Sequence, residues 1–232
     1  MREIILDTET TGLDPRKGDR IIEIGCVELI DHVPTGKEYQ GYFNPDREIS
    51  QQAFLVHGLS LDFLKKYPKF SDSVKEFLDF IKDSQLVMHN ASFDLGFLNS
   101  ELKKCEIKPI PSERTTDTMG LAKKQFPGKQ VNLDSLCKRF SISLDSREKH
   151  GALVDSKLLA QVYLKLLKVG EQSDLNFAEN MEGESAVSAV NLAKQNGDKK
   201  RNDRKLPLPS EEELQSHKQM LKDHIKKPLW SS

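Results

Sequence analysis

Residues 3–12 read EIILDTETTG: the apolar side chains of Ile4, Ile5 and Leu6 run straight into Asp7, Thr8, Glu9 and then a turn. A continuous apolar run fits a buried strand, so the chain must place two carboxylates where its core begins. Residues two apart in a strand share a face, so Asp7 and Glu9 project together and Thr8 faces away. Two like charges at a core edge repel and lose hydration. Either one acid holds a proton, or both face a cation or a basic partner. A hard divalent metal meets that demand with oxygen ligands. So does an ordinary edge strand with solvated acids beside a lysine, and the pair alone does not choose.

The stretch over residues 2–9 is expected to pair with a second strand over 20–30, rich in Ile and Val, across the Gly-, Pro- and Asp-bearing loop TTGLDPRKGD. Residues 37–43 offer a third strand, and a mixed region follows to about residue 70. Val74, Phe77, Leu78 and Ile81 recur at helical spacing and predict a helix over 71–81. QLVMHN, residues 85–90, reads as a short buried strand, and helices follow around 92–104, 117–126 and 132–140, the last with Asn132 as its cap. A final helix from Ala152 to about Leu167 carries Leu158, Leu159, Val162, Tyr163 and Leu166 on a broad apolar face. Strands first, then strand and helix interleaved, predict an α/β fold with a mixed sheet flanked by helices.

The 232 residues suffice for one domain plus an appendage, and composition changes after Gly170. Residues 171–205 offer one aromatic residue, Phe177, and end near the charge-rich run GDKKRNDRK, which reads as a flexible linker. Residues 206–232 regain apolar side chains and a helix-start signature, Ser210 followed by Glu213. Leu214, Leu221 and Ile225 fall on one side of a short helix ending before Pro228, and Trp230 is a candidate anchor. Too small to fold alone, the segment is a candidate docking element for a partner. The expected organisation is a domain over 1–170, a linker over 171–205 and a docking segment over 206–232.

Charge limits the partners. Residues 1–170 hold 25 acidic and 25 basic side chains, and the remainder holds 11 and 10. Neither part has the positive excess of a protein that grips nucleic acid unaided. No apolar run approaches a membrane span, and a cleaved leader would remove the first strand itself, so a cytoplasmic protein is expected. Cys26, Cys105 and Cys137 lack CxxC spacing and are expected as reduced, buried thiols.

Two further stretches fit the geometry of Asp7 and Glu9. MHNASFD puts Asp94 in the first turn of a helix that follows a strand, where the helix dipole favours an anion and where open α/β sheets bind ligands. KHGALVD supplies His150 and Asp155. Five residues apart on one helix they would diverge by about 140°, but Gly151 offers a break. A helix starting after it leaves His150 on a preceding loop, able to swing toward a site that Asp155 faces. An imidazole, which in water titrates near about pH 6.5, suits proton acceptance there.

DTET, HNASFDLGFL and HGALVD, in this order, resemble the three motifs of the DEDDh family of 3′–5′ exonucleases, and within it the proofreading subunits of bacterial replicative DNA polymerases. The resemblance covers about residues 1–168, and Gly151 stands where the tyrosine branch of the superfamily would carry Tyr. It implies a ribonuclease-H-like fold, removal of nucleotides from DNA 3′ ends, and two divalent ions, Mg²⁺ or Mn²⁺. Asp7, Glu9 and Asp155 would hold the ion that binds the attacking water, Asp7 would bridge to the second with support from Asp94, and His150 would take the proton. Thr10, Gly12, His57, Asn90 and Phe93 resemble positions that line the end of the strand. The tail resembles polymerase-binding extensions, which implies a replicative polymerase alpha subunit as partner of residues 206–230. Three rivals are weighed: an RNA-trimming exonuclease of the same superfamily, a non-catalytic replisome adaptor, and a phosphatase with an aspartyl nucleophile in DTET. Five intact site residues oppose the adaptor, and the phosphatase would need neither His150 nor Asp155.

Overall fold

A computed structural model of the chain describes residues 1–144 and 149–168; the linker and docking segment expected over 171–232 lie outside the described residues. Among the described residues five strands form one mixed sheet in the order β3-β2-β1-β4-β5. β1 (Arg2–Thr10), β2 (Ile21–Ile30) and β3 (Val33–Tyr42) form an antiparallel meander. β4 (Gln85–Met88) and β5 (Thr115–Asp117) extend the sheet in parallel from the other edge of β1. The apolar run at the start of the chain is therefore the central strand.

The strand's alternation assigns each side chain to one of two helical layers. Ile4 and Leu6 point with Ile24 and Cys26 into a core closed by Phe70, Val74, Phe77 and Ile81 of α3 (Phe70–Ile81) and by Phe97, Leu98 and Leu102 of α4 (Ala91–Lys104). Ile5 points the other way, with Val27, Leu29 and Val87, against Leu159, Ala160 and Tyr163 of α7, residues 152–168. A smaller cluster joins α7 to α5 (Thr118–Gln125) and α6 (Leu133–Arg139) through Ala122, Leu136, Cys137, Leu158 and Val162. Each buried Leu, Ile or Phe contributes about 1.5–3 kcal/mol, and the two layers fix β1 from both sides.

α7 is also tied to the sheet by polar contacts at two heights. Tyr163 Oη donates to the buried Glu3 carboxylate at 2.7 Å, and Ser156 Oγ donates to the Gly25 carbonyl at 2.8 Å. Among the described residues no helix is long and apolar enough to cross a membrane.

Several expectations are corrected. The region before residue 70 holds two short helices, α1 (Gln51–His57) and α2 (Leu61–Leu64), capped by the Ser50 and Ser60 hydroxyls. They are too short for apolar periodicity to reveal. The third strand starts at Val33 rather than at residue 37, and the fourth stops at Met88 because Asn90 takes φ +71°, outside strand geometry. The three residues of β5 are not separable by sequence pattern from the helix that follows. Cys26 and Cys137 are buried, outside any disulfide, but Cys105 is only half-buried.

Candidate active site

The C-terminal end of β1 projects between the two helical layers. Asp7 and Glu9 lie on the α7 face, opposite Gly25 and Glu23 of β2 in the strand register. Gly25 lets α7 come that close: a Cβ there would lie 2.1 Å from the Leu153 nitrogen and 2.2 Å from the Ala152 carbonyl carbon. The first turn of α7 thus rests on the sheet beside Asp7, and Asp155 enters the site from it with 3% exposure. The helix starts at Ala152, leaving His150 on the preceding loop. Its Nδ1 sits 3.1 Å from Asp155 Oδ2, and its backbone N–H donates to the Val56 carbonyl at 3.4 Å.

Asp94 comes from the other layer, in the first turn of α4, and is 3% exposed. Thr8, on the face away from Asp7 and Glu9, donates its hydroxyl to Asp94 Oδ1 at 2.7 Å. That bond carries the acid over the sheet edge.

Burial, then the charges of Asp94, Glu9, Asp155 and Glu23, push Asp7 well above the usual carboxylate range. Burial likewise lifts Asp94 to about 7, against the opposing pull of its hydrogen bond from Thr8. Ligand atoms of Glu9, His150 and Asp155 lie within 4.8 Å of one another. Oxygen donors that repel each other until a cation arrives, with one imidazole beside them, fit a hard divalent ion.

A cleft of about 580 Å³ opens beside these groups, lined by Thr8, Glu9, Thr10, Gly12, His57 and Phe93 among others. Thr10 Oγ1 donates to the Gly12 carbonyl at 2.6 Å and tightens the turn after β1. A Cβ on Gly12 would lie 2.4 Å from Asp19 Oδ2, so the turn admits no larger residue without moving that carboxylate. His57 is buried, its Nδ1 accepts from the Leu59 N–H at 3.0 Å, and burial pulls it down to about 4, so it is neutral at physiological pH. Phe93 packs on Phe97 with ring centroids 5.0 Å apart and lines the cleft with Leu13, which is 77% exposed. Asn90 stands at the start of α4, where its Oδ1 accepts from Ser92 Oγ at 3.3 Å.

Thr8, Leu13, Val56 and Gly25 belong to this site and are not singled out by sequence reasoning. Leu13 and Val56 carry no chemical signal in the sequence.

Carboxylates from a central strand and from helices on both sides of the sheet thus lie near a loop histidine and an open cleft, the candidate site of an enzyme. The chain belongs to the exonuclease family, whose description "Exonuclease" matches residues 4–163. It is 44% identical over 230 residues to the DNA polymerase III subunit epsilon of Rickettsia felis, covering 97% of this chain and 98% of that one. It is 43% identical over 192 residues to the subunit of the same name from Escherichia coli, covering 79% and 77%. Among solved structures it resembles Exonuclease X in complex with 5′ overhanging duplex DNA, at 26% identity and TM-score 0.57, over 72% of this chain and 91% of that one. The nuclease domain of 3′hExo, a DEDDh family member bound to rAMP, superposes at TM-score 0.63 and 22% identity, over 73% and 92%. The ribonuclease-H-like fold expected from the motifs is thus the fold observed.

Proposed function

We propose that this exonuclease removes nucleotides from DNA 3′ ends, proofreading for a replicative polymerase. The observation that carries the reading is the grouping of Asp7, Glu9, Asp94 and Asp155, with His150 3.1 Å from Asp155, beside a cleft that Glu9 lines. The named relatives over nearly the whole chain support the DNA polymerase context.

Asp7, Glu9 and Asp155 are the residues to hold one divalent ion, Mg²⁺ or Mn²⁺, and Asp7 with Asp94 a second. When bound, such ions neutralise developing phosphoryl charge and acidify the attacking water. The chain's own side chains do the rest. His150, held by the Asp155 carboxylate through Nδ1, presents Nε2 as the basic nitrogen to accept the water's proton. The turn of Thr10 and Gly12 and the face of Phe93 receive the terminal nucleotide, whose base can stack on the ring. Neutral His57 walls the same cleft without adding charge.

A domain with balanced charge needs help to hold a polyanion. Residues 206–230, as a docking segment for the polymerase alpha subunit, would supply it by raising effective substrate concentration to the order of millimolar. Deleting residues 206–232 is expected to abolish capture of the polymerase in a pull-down while turnover of a short oligonucleotide persists; undiminished capture removes the tail from that role.

Digestion of an end-labelled primer with a mispaired 3′ terminus, at low salt, tests the main reading. Stepwise shortening is expected with Mg²⁺ or Mn²⁺ and none with chelator. Equal cleavage without metal overturns the metal-dependent chemistry, and faster turnover of short RNAs than of mispaired DNA assigns the enzyme to RNA trimming.

A further inference from the structure

The acid at the end of β5 takes no part in the site as described, yet its hydrogen bonds reach it. Asp117 Oδ1 accepts from the backbone N–H groups of Asn90 at 3.0 Å, Ala91 at 3.4 Å and Met119 at 3.1 Å, while Oδ2 accepts from Gly120 N–H at 3.2 Å. Met119 and Gly120 open α5, for which Asp117 is the ordinary N-cap. Asn90 and Ala91 open α4, a helix brought beside it only by the parallel register that sets Asp117 opposite Met88. One carboxylate therefore caps two helices.

α4 depends on this borrowed cap. Its own N-cap residue, Asn90, caps none of the helix's backbone N–H groups with its side chain, which accepts only from Ser92 Oγ, and sits at φ +71°, a conformation uncommon for a non-glycine residue. The first N–H groups of a helix have no intrahelical partner, and those of Asn90 and Ala91 are met by Asp117. Two and three residues beyond Ala91 stand Phe93, which walls the cleft, and Asp94, which Thr8 draws toward Asp7. The first turn of α4 is thus gripped at its backbone by Asp117 and at the Asp94 side chain by Thr8.

We propose that Asp117 is a positioning residue of the nuclease centre: it fixes the first turn of α4 so that Asp94 meets the divalent ion in one orientation. The proposal rests on the metal-binding reading above. A displacement of order 1 Å at a catalytic group costs about 10²-fold in rate, and a loosened ligand weakens metal binding before it unfolds the domain. The role argued for Asp117 runs through the α4 backbone.

The test measures Mn²⁺ binding to the full chain by titration calorimetry without DNA, alongside mispaired-primer cleavage and thermal melting. Asp117→Ala is expected to weaken Mn²⁺ binding about tenfold and lower kcat by a similar factor, with the KM for primer changed less than twofold. Asp117→Asn keeps an oxygen acceptor for Asn90 and Ala91 and is expected to restore most of both. Asn132→Ala is the control: it removes a comparable cap, the Asn132 bond to Ser135 N–H at 2.8 Å on α6, away from the acids. It should lower the melting temperature without moving Mn²⁺ affinity.

A folded Asp117→Ala chain with wild-type Mn²⁺ affinity overturns the proposal, as does an equal loss of affinity in Asn132→Ala. If Asp117→Ala does not fold, the decision passes to Asp117→Ser, whose shorter side chain caps α5 but reaches α4 poorly. Wild-type affinity in that variant also overturns it. A wild-type chain that binds no Mn²⁺ and cleaves nothing refutes the underlying site reading instead, so the two failures are distinguishable.

Discussion

Replacing Asp7 by alanine is expected to cut metal-dependent hydrolysis by about 10³-fold or more, because positioned charge at the reacting phosphate is typically the largest catalytic contribution. It should not unfold the domain, and in the metal-free state an isosteric Asp7→Asn change should stabilise it. The sign follows from linkage. In the unfolded chain Asp7 ionises near its ordinary value of 3.8, whereas in the fold burial and the facing acids keep its proton on to much higher pH. Between those values the folded state binds more protons, so the metal-free protein loses stability as pH rises from about 3.8 through the folded value. Asp94, lifted to about 7, acts in the same direction over its own interval. Removing one of the repelling charges relieves this loss near neutrality, and below pH 3.8 it changes little. Thermal melts at about pH 5 and about pH 8, with and without Mg²⁺, check this. At the higher pH the metal-free Asn variant should melt at or above the wild type, and Mg²⁺ should raise the wild-type midpoint far more than the variant's. A near-normal nuclease rate in Asp7→Ala, or a metal-free Asn variant melting several degrees below wild type at the higher pH, would refute the account.

Period-two alternation made one half of this site legible in the sequence: Asp7 and Glu9 share a face because strands alternate, and the face is the one α7 covers. The helix start at Ala152, with His150 outside it, could also be read, because Gly151 breaks the register. The depth of the acids could not. Glu9, Asp94 and Asp155 are all under one-tenth exposed. Asp155 is buried where α7 settles on Gly25, a contact between residues more than 120 positions apart that no local pattern encodes. The same holds for Thr8, whose partner Asp94 is 86 residues away, and for Asp117, which caps a helix 26 residues earlier. Short elements failed for a different reason. α1, α2 and β5 span seven, four and three residues, less than two turns or two strand repeats, so their identity is set by packing and caps rather than by periodicity.

Removing the imidazole of His150 is expected to lower kcat about 10²-fold or more, with little change in the KM for primer, if it accepts the proton of the attacking water. The side chain is 45% exposed on a loop, so its loss should cost little stability and leave the fold intact. Two replacements separate its possible contributions. His150→Ala removes both the base and the contact to Asp155 Oδ2 at 3.1 Å, whereas His150→Gln keeps an N–H donor for that carboxylate without a titrating nitrogen. A general base makes the two variants equally slow. A residue that only orients Asp155 makes Gln nearly as fast as the wild type. The comparison of Gln with Ala is the sharper measurement, because a drop in rate for Ala alone would follow from either role.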